Sequence, residues 1–361
     1  MKIKEVKKNF AIVILCLALF FLYFLSAYST EGTFRKKRQI TERDLPCIEI
    51  PMPPANVGID VFKNPKKIVV MGWNIENLFD TQDDPFTEDD EFTPRGEARW
   101  DNASLRNKLY NITDIIRRIN HGSGPDIIGL CEVENRKVVE MLSKHPNIKH
   151  LQYKYIYHRD SVDPRGIDVA ILSRYSASVR WEQAYPGARD MLVGKFEIQE
   201  HPLYILVNHW RSRLGGKKKT EDRRIQAALK CIDTVKKIQS QDPDADILLI
   251  GDFNDNPQDS SIRNYLKAVP YNKRENKRSL LYNLTPSAKT EEWVNLTSYF
   301  DQIIVSQGIL DKKGFSYIPG SFEIISYSFM CDKNGRPLSF SSYDGKGYSD
   351  HFPVVATFQI E

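Results

Sequence analysis

Ile247-Leu248-Leu249-Ile250-Gly251-Asp252-Phe253-Asn254 runs from a short apolar block straight into a glycine, an acid and an amide. Short apolar runs bounded by turn-type residues read as buried strands. In α/β sheets, ligands gather outside the carboxyl ends of the strands. Asp252 and Asn254 therefore stand where chemistry is usually placed. Ser349-Asp350-His351, just ahead of a further apolar run at 354–358, offers a second such tip. Hard oxygen ligands and an imidazole at two strand tips suggest one metal-assisted site.

Working outward, strand and helix patterns alternate from Lys67 onward. Strands are expected at 68–73, 126–130, 153–157, 169–172, 202–207, 247–250, 303–305 and 354–358. Leu105, Leu109, Ile112, Ile115, Ile116 and Ile119 mark one face of a helix by their three-and-four spacing, and a shorter helix is expected around 138–142. Ile225, Leu229, Ile232, Val235 and Ile238 mark another, starting near Thr220. No internal repeat, low-complexity tract or linker composition interrupts residues 67–361, which read as one domain of sheets covered by helices.

The 361 residues, 41% hydrophobic and 11% aromatic, suffice for a sizeable core. The net charge is +4, of which Lys2, Lys4, Lys7 and Lys8 against Glu5 supply +3. The near-neutral remainder gives no chain-wide electrostatic case for nucleic acid, so polyanion binding has to be local. Those lysines precede an apolar stretch, residues 10–25, and Ala27-Tyr28-Ser29 then offers a small-x-small cleavage pattern. Sixteen residues span roughly 24 Å as a helix, short of a hydrocarbon core of about 30 Å. Residues 1–29 thus read as a signal peptide in preference to a short membrane anchor. The body is expected to be exported: periplasmic, extracellular or membrane-anchored. Leu15 before Cys16 disfavours a lipid anchor. Residues 30–66, with Pro46, Pro51, Pro53, Pro54 and Pro65, read as a linker. Cys131 and Cys231 read as buried free thiols; Cys47 with Cys331 is the pair worth testing for a disulfide.

Chemistry-bearing residues recur at the strand termini. They are Asn74 and Glu76 after the first strand, Glu132 and Glu134 after the second, then Asn208-His209, Asp252 with Asn254, Asp301 and Asp350-His351. Carboxylate and amide oxygens suit Mg²⁺ or a similar ion. The lack of a His/Cys cluster at ligand spacing argues against structural zinc.

This series resembles the endonuclease/exonuclease/phosphatase superfamily, whose best-known shape is that of pancreatic deoxyribonuclease. The likeness runs in family order from Lys67 to Glu361. Trp73-Asn74-Ile75-Glu76-Asn77-Leu78-Phe79-Asp80 and Glu132-Val133-Glu134-Asn135 look most like its secreted bacterial nuclease-like branch. The resemblance implies a four-layer sandwich of two mixed β-sheets packed face to face and flanked by helices. It implies an exported, divalent-metal-dependent phosphoesterase that hydrolyses phosphodiester bonds, with a nuclease favoured. Mg²⁺ is the expected ion, with Mn²⁺ or Ca²⁺ as alternatives.

Carried over by position, the resemblance implies that Glu132, Asn74, Asp301 and Asp350 hold the cation, and that Asn74 also holds phosphate. His209 would sit by the leaving oxygen as acid or stabiliser. Asp252 and Asn254 would orient or deprotonate the attacking water. Asp350 would orient His351, which would polarise the phosphate or act as base. Asp301 would also support the site from the neighbouring sheet. Asn208, Arg165 and Arg211 join Asn74 as substrate-binding candidates. Alternation places Glu132 and Glu134 on one face of an extended segment, and motif position favours Glu132. Cys131 stands where the family often has Gln.

Blander readings attach to each residue. An Asp or Asn at a strand end is more often a turn former or helix cap. Arg165 serves a turn and salt bridge as readily as a phosphate. The basic loop of Arg211, Arg213, Lys217, Lys218 and Lys219 reads equally as a polyanion grip or as a solvated approach to a helix. The acidic loop 83–91 does not match the EF-hand pattern. His121, His145, His150, His158 and His201 lack a matching context. A lipid or inositol-phosphate phosphoesterase of the sphingomyelinase kind stays open, since Trp181 and Trp210 could belong to an apolar rim. A non-catalytic surface binding protein is the other-class alternative. The expected partner is a phosphodiester, in the first place nucleic acid. Membrane contact is expected only through an uncleaved N-terminal segment, and no obligate protein partner is evident.

Overall fold

Apolar side chains line both faces of the central strands, as expected of strands buried between layers. The computed structural model describes residues 65–271, 281–286 and 297–361. The stretches read as targeting segment and linker lie outside the described residues, Pro65 and Lys66 excepted. So does Cys47; Cys331 is a free, half-buried thiol, and Cys131 and Cys231 are buried and free.

In chain order the elements are β1 (Lys67–Leu78), α1 (Asn102–Arg118), β2 (Ile127–Val133), α2 (Arg136–Ser143), β3 (Tyr155–His158), β4 (Asp168–Ser173), β5 (Ala177–Gln183), β6 (Asp190–Ile198), β7 (His201–His209), α3 (Lys217–Gln239), β8 (Asp246–Asp252), β9 (Ala268–Pro270), β10 (Leu281–Asn283), β11 (Asp301–Val305), β12 (Phe315–Tyr317), β13 (Glu323–Ile324) and β14 (Val354–Ile360). Sheet I runs β12-β14-β1-β2-β4-β3, with β13 also on β14; sheet II runs β5-β6-β7-β8-β11-β10-β9. Both sheets are mixed: β1 is parallel to β2 and antiparallel to β14, and β7 is parallel to β8 while β11 is antiparallel to it.

Three apolar layers hold the stack. Ile68, Val70 and Ile127 of sheet I interleave with Ile205, Val207, Leu248 and Ile250 of sheet II. Leu105, Leu109 and Ile112 of α1 and Val138 of α2 cover the outer face of sheet I. Ala228, Cys231, Ile232 and Val235 of α3 cover sheet II. The result is the four-layer sandwich.

Two readings need correction. β5 and β6 were not expected, although they form a hairpin at the edge of sheet II. On α3, which starts at Lys217, Ile232, Val235 and Ile238 are buried as expected, but Leu229 is 48% exposed, and Arg224, Ala227, Ala228 and Cys231 also face inward. The buried stripe therefore includes small and polar residues that the Ile/Leu/Val spacing does not show.

Candidate active site

The strand tips of both sheets meet at one end of the sandwich. The backbone departs from regular strand there: Glu76, Asn77, Glu132 and Asn254 all have positive φ (53°, 55°, 64° and 49°). The β1–β2 register shifts between Asn74 and Leu78. The β2–β4 register shifts between Cys131 and Val133. Such bulges re-aim side chains. They decide between the two glutamates: Glu132 turns into the site, whereas Glu134 accepts from Asp80 N at 2.5 Å, away from it. Burial among Asp80, Asp89 and Asp84 pushes the Glu134 carboxyl up to about 7.

Asn74 is the hub. Its Nδ2 donates to Glu132 Oε1 and to Asp252 Oδ2, each at 3.0 Å. Its backbone N–H donates to Asp301 Oδ1 at 2.9 Å, across the two sheets. Asn77 N holds the other oxygen of Glu132 at 3.0 Å. Asn74 Nδ2 is thus occupied in positioning two carboxylates, while its Oδ1 accepts from Glu76 N at 3.0 Å.

Asp252 accepts from Asn254 N at 2.8 Å and from Asn254 Nδ2 at 3.0 Å. Burial pushes its carboxyl up to about 7 against the pull of His351, with Asp301 adding to the rise. His351 Nδ1 lies 2.5 Å from Asp301 Oδ2, and its Nε2 lies 3.8 Å from Asp350. Burial alone would lower the His351 pKa, but Asp301, Asp252 and Asp350 hold it well above the usual imidazole range. The group that orients His351 is therefore Asp301, not Asp350. Both Asp301 oxygens accept hydrogen bonds and the residue is fully buried, and its carboxylate lies in one cluster with Asp252 and His351, whose ligand atoms are all within 4.8 Å of one another.

His209 presents Nε2 at 3.6 Å from Asp252 and 3.8 Å from Glu132. Its Nδ1 is buried without a hydrogen-bond partner. Burial, then Arg189, His351 and Arg165, push its pKa well below the usual range. The surroundings thus push the two imidazoles in opposite directions.

Oxygen donors remain for a divalent cation. Glu76 Oε2 accepts from Phe340 N at 2.8 Å and Asp350 N at 3.1 Å. The Asp350 side chain is 56% exposed at the cleft, and desolvation together with Glu76 and Glu132 pushes its carboxyl up to about 6. Glu76, Glu132 and Asp350 are thus electrostatic neighbours, while the tightest set of possible ligand atoms at the site is that of Asp252, Asp301 and His351, within 4.8 Å of one another. Lys108 was missed by sequence reading. It is fully buried, donates to Tyr348 O at 2.8 Å, and sits 3.9 Å from Glu76. Burial lowers its pKa to about 8. Its signal was a lysine on the apolar face shared by Leu105, Leu109 and Ile112.

Other candidates divide. Arg165 is exposed at the rim, where its Nη2 donates to Asn77 Oδ1 at 2.8 Å. Asn208 does not face the site: its Nδ2 donates to Leu206 O at 2.9 Å, and its Oδ1 accepts from Trp210 Nε1 at 3.1 Å and Cys231 Sγ at 3.0 Å. Alternation along β7 sends Asn208 toward α3 and His209 toward the cleft. Trp210 is buried edge-on against Phe253, so it forms no apolar rim. Arg213 is drawn inward to Asp255 and Asp259, and Lys217 to Asp259 at 2.6 Å.

The sequence profile of the Endonuclease/Exonuclease/phosphatase family matches residues 69–360. The chain belongs to this family. Endonuclease/exonuclease/phosphatase proteins are metal-dependent phosphoesterases, and the cluster of acids, amides and histidines is placed for that chemistry. Among solved structures, the human Nocturnin catalytic domain with bound sulfate aligns at a TM-score of 0.50 and 14% identity, over 82% of this chain and 95% of that one. SmcL aligns at 0.50 and 15% identity, over 82% and 99%. Truncated Caenorhabditis elegans TDP2 aligns at 0.48 and 20% identity, over 82% and 99%. At these identities the likeness is one of fold. No curated protein matches the chain.

Proposed function

We propose that this protein is an exported phosphodiesterase that cleaves nucleic acid with the help of Mg²⁺ or a similar ion. The observation that carries the reading is the convergence of Asn74, Glu132, His209, Asp252, Asp301 and His351, drawn from both sheets, at one end of the sandwich.

Phosphodiester hydrolysis needs neutralised non-bridging oxygens, an activated water and a stabilised leaving alkoxide. Glu132 and Asp350 would hold a divalent cation, which would supply charge neutralisation. Asp252, its carboxyl poised near neutrality, accepts a proton from the attacking water, which the Asn254 amide orients. His351 carries its proton on Nε2 toward the phosphoryl oxygen while Asp301 holds Nδ1. His209, whose burial disfavours the charged form, donates a hydrogen bond to the leaving oxygen as its stabiliser.

Cleavage of bis(p-nitrophenyl) phosphate and of DNA is expected with Mg²⁺ and not with EDTA. Asp252→Asn and His351→Ala should each lose about 10³-fold in kcat. Full turnover in chelator, or in either variant, would remove the mechanism. Export is tested by sequencing the N-terminus of the mature protein.

A lipid phosphoesterase is the second reading, and one observation favours it. Phe86, Leu214 and Tyr343, on three different loops, are 93%, 81% and 83% exposed. Vesicle flotation with and without Phe86→Ser and Tyr343→Ser separates the two readings.

A further inference from the structure

A cavity of about 390 Å³ opens on the α3 side of His209, walled by the 184–190 loop, the end of β7 and the first half of α3. Its volume falls in the range of pockets that hold a small-molecule-sized group. The acids in its lining are already neutralised. Asp163 pairs with Arg189 at 3.1 Å, Glu182 with Lys230 at 2.9 Å, and Asp190 with Arg159 at 2.5 Å. Arg211, Lys219 and Arg223 also line the cavity, and none has a carboxylate partner among the described residues. Arg223 lies 4.5 Å over the ring of Tyr185, a half-buried aromatic in the same wall. The chain as a whole is nearly neutral, so this surplus of three cations is a local device.

We propose that this cavity is a second-phosphate subsite, taking the nucleotide next to the scissile bond of a polynucleotide. The assignment rests on the phosphodiesterase reading above and gives it a substrate class. His209 and Arg211 both line the cavity, so an anion held there adjoins the leaving-group side of the cleft through His209. The unpaired guanidinium and ammonium groups meet the neighbouring phosphate. Tyr185 and the guanidinium above it offer a stacking plate for a base. A lipid headgroup ending in a quaternary ammonium would instead meet three unpaired positive charges.

The test compares a substrate with one phosphate against substrates with more. For wild type, kcat/KM for the trinucleotide ApApA should exceed that for bis(p-nitrophenyl) phosphate. In Lys219→Ala/Arg223→Ala that ratio should fall about tenfold, while Lys236→Ala, farther along α3, leaves it where it was. Binding is read separately in the His351→Ala background, by anisotropy of a labelled single-stranded 10-mer. There the double substitution should weaken affinity about tenfold and reduce the log K against log salt slope by about 1.4, or 0.7 for each phosphate no longer neutralised. An unchanged ratio together with an unchanged salt slope overturns the subsite. So does a larger loss on phosphatidylcholine vesicles carrying phosphatidylinositol bisphosphate than on the 10-mer. If wild type cleaves no phosphodiester, the enzymatic reading fails while the anisotropy arm still decides the pocket.

Discussion

Asp301 and Asp350 flank one imidazole, and sequence adjacency points to the wrong one as its partner. Asp350 and His351 sit in a bend ahead of β14, and the Asp350 carboxylate lies 3.8 Å from Nε2, the other ring nitrogen. Asp301 arrives from the other sheet, a relation fifty residues away in sequence and invisible to spacing. The two substitutions should therefore separate. Asp301→Asn is expected to lower kcat by about 10²-fold or more with little change in KM, and to move the His351 imidazole resonance toward an ordinary titration. Asp350→Asn is expected instead to raise the Mg²⁺ concentration needed for half-maximal activity, by about tenfold. A shared phenotype would mean that the imidazole has no single orienting partner. Residue types at strand tips were legible because hard ligands and turn formers are conspicuous there. Their hydrogen-bond partners were not, because bulges at Asn74 and Glu132 override simple alternation.

At the scale of elements, the apolar runs placed most of the central strands and all three helices, since continuous burial leaves a strong pattern. The edge hairpin of β5 and β6 escaped because β5 is half exposed and mixes Arg180, Glu182 and Gln183 with its apolar residues. The three-residue strands β9, β10 and β12 carry too little sequence to show a period. The helix face of α3 offers a check. Leu229→Gln should change stability by less than about 0.5 kcal/mol, whereas Ala228→Leu should cost about 2 kcal/mol by overpacking sheet II. Chemical denaturation of both variants decides. Gly251 is the tightest point of the motif that opened the sequence reading. Its φ is +115°, and a Cβ there would lie 2.2 Å from Asn208 O. Gly251→Ala is thus expected to cost about 3 kcal/mol and to shift Asp252, with turnover falling further than stability alone explains. Native-like kcat in that variant would contradict the close approach.

For the molecule as a whole, composition gave size and near-neutrality but could not reveal the basic cavity, which three separate segments assemble. Nor could it reveal Asp246, at the start of β8. Burial pushes this carboxyl up to about 8, with Asp311 and Asp242 adding to the effect and the Phe315 N–H opposing it. The folded chain holds this proton more tightly than the unfolded chain does. Its contribution to stability is therefore present at low pH, declines as pH rises from about 4 to about 8, and then levels off. Asp246→Asn should flatten that decline by on the order of 2 kcal/mol between pH 5 and pH 8.5, read from urea midpoints at the two values. An unaltered pH slope would show the carboxyl to be ionised throughout. The arrangement around Asn74 has a further consequence. Asn74 and His351 hang from sheet I while Asp252 and Asp301 hang from sheet II, so the reacting groups are gauged against one another across the sandwich. A slip of one layer over the other by a fraction of an ångström would silence turnover while circular dichroism still reported native strands and helices. On gentle warming or in dilute urea, this chain should fall quiet well before it melts.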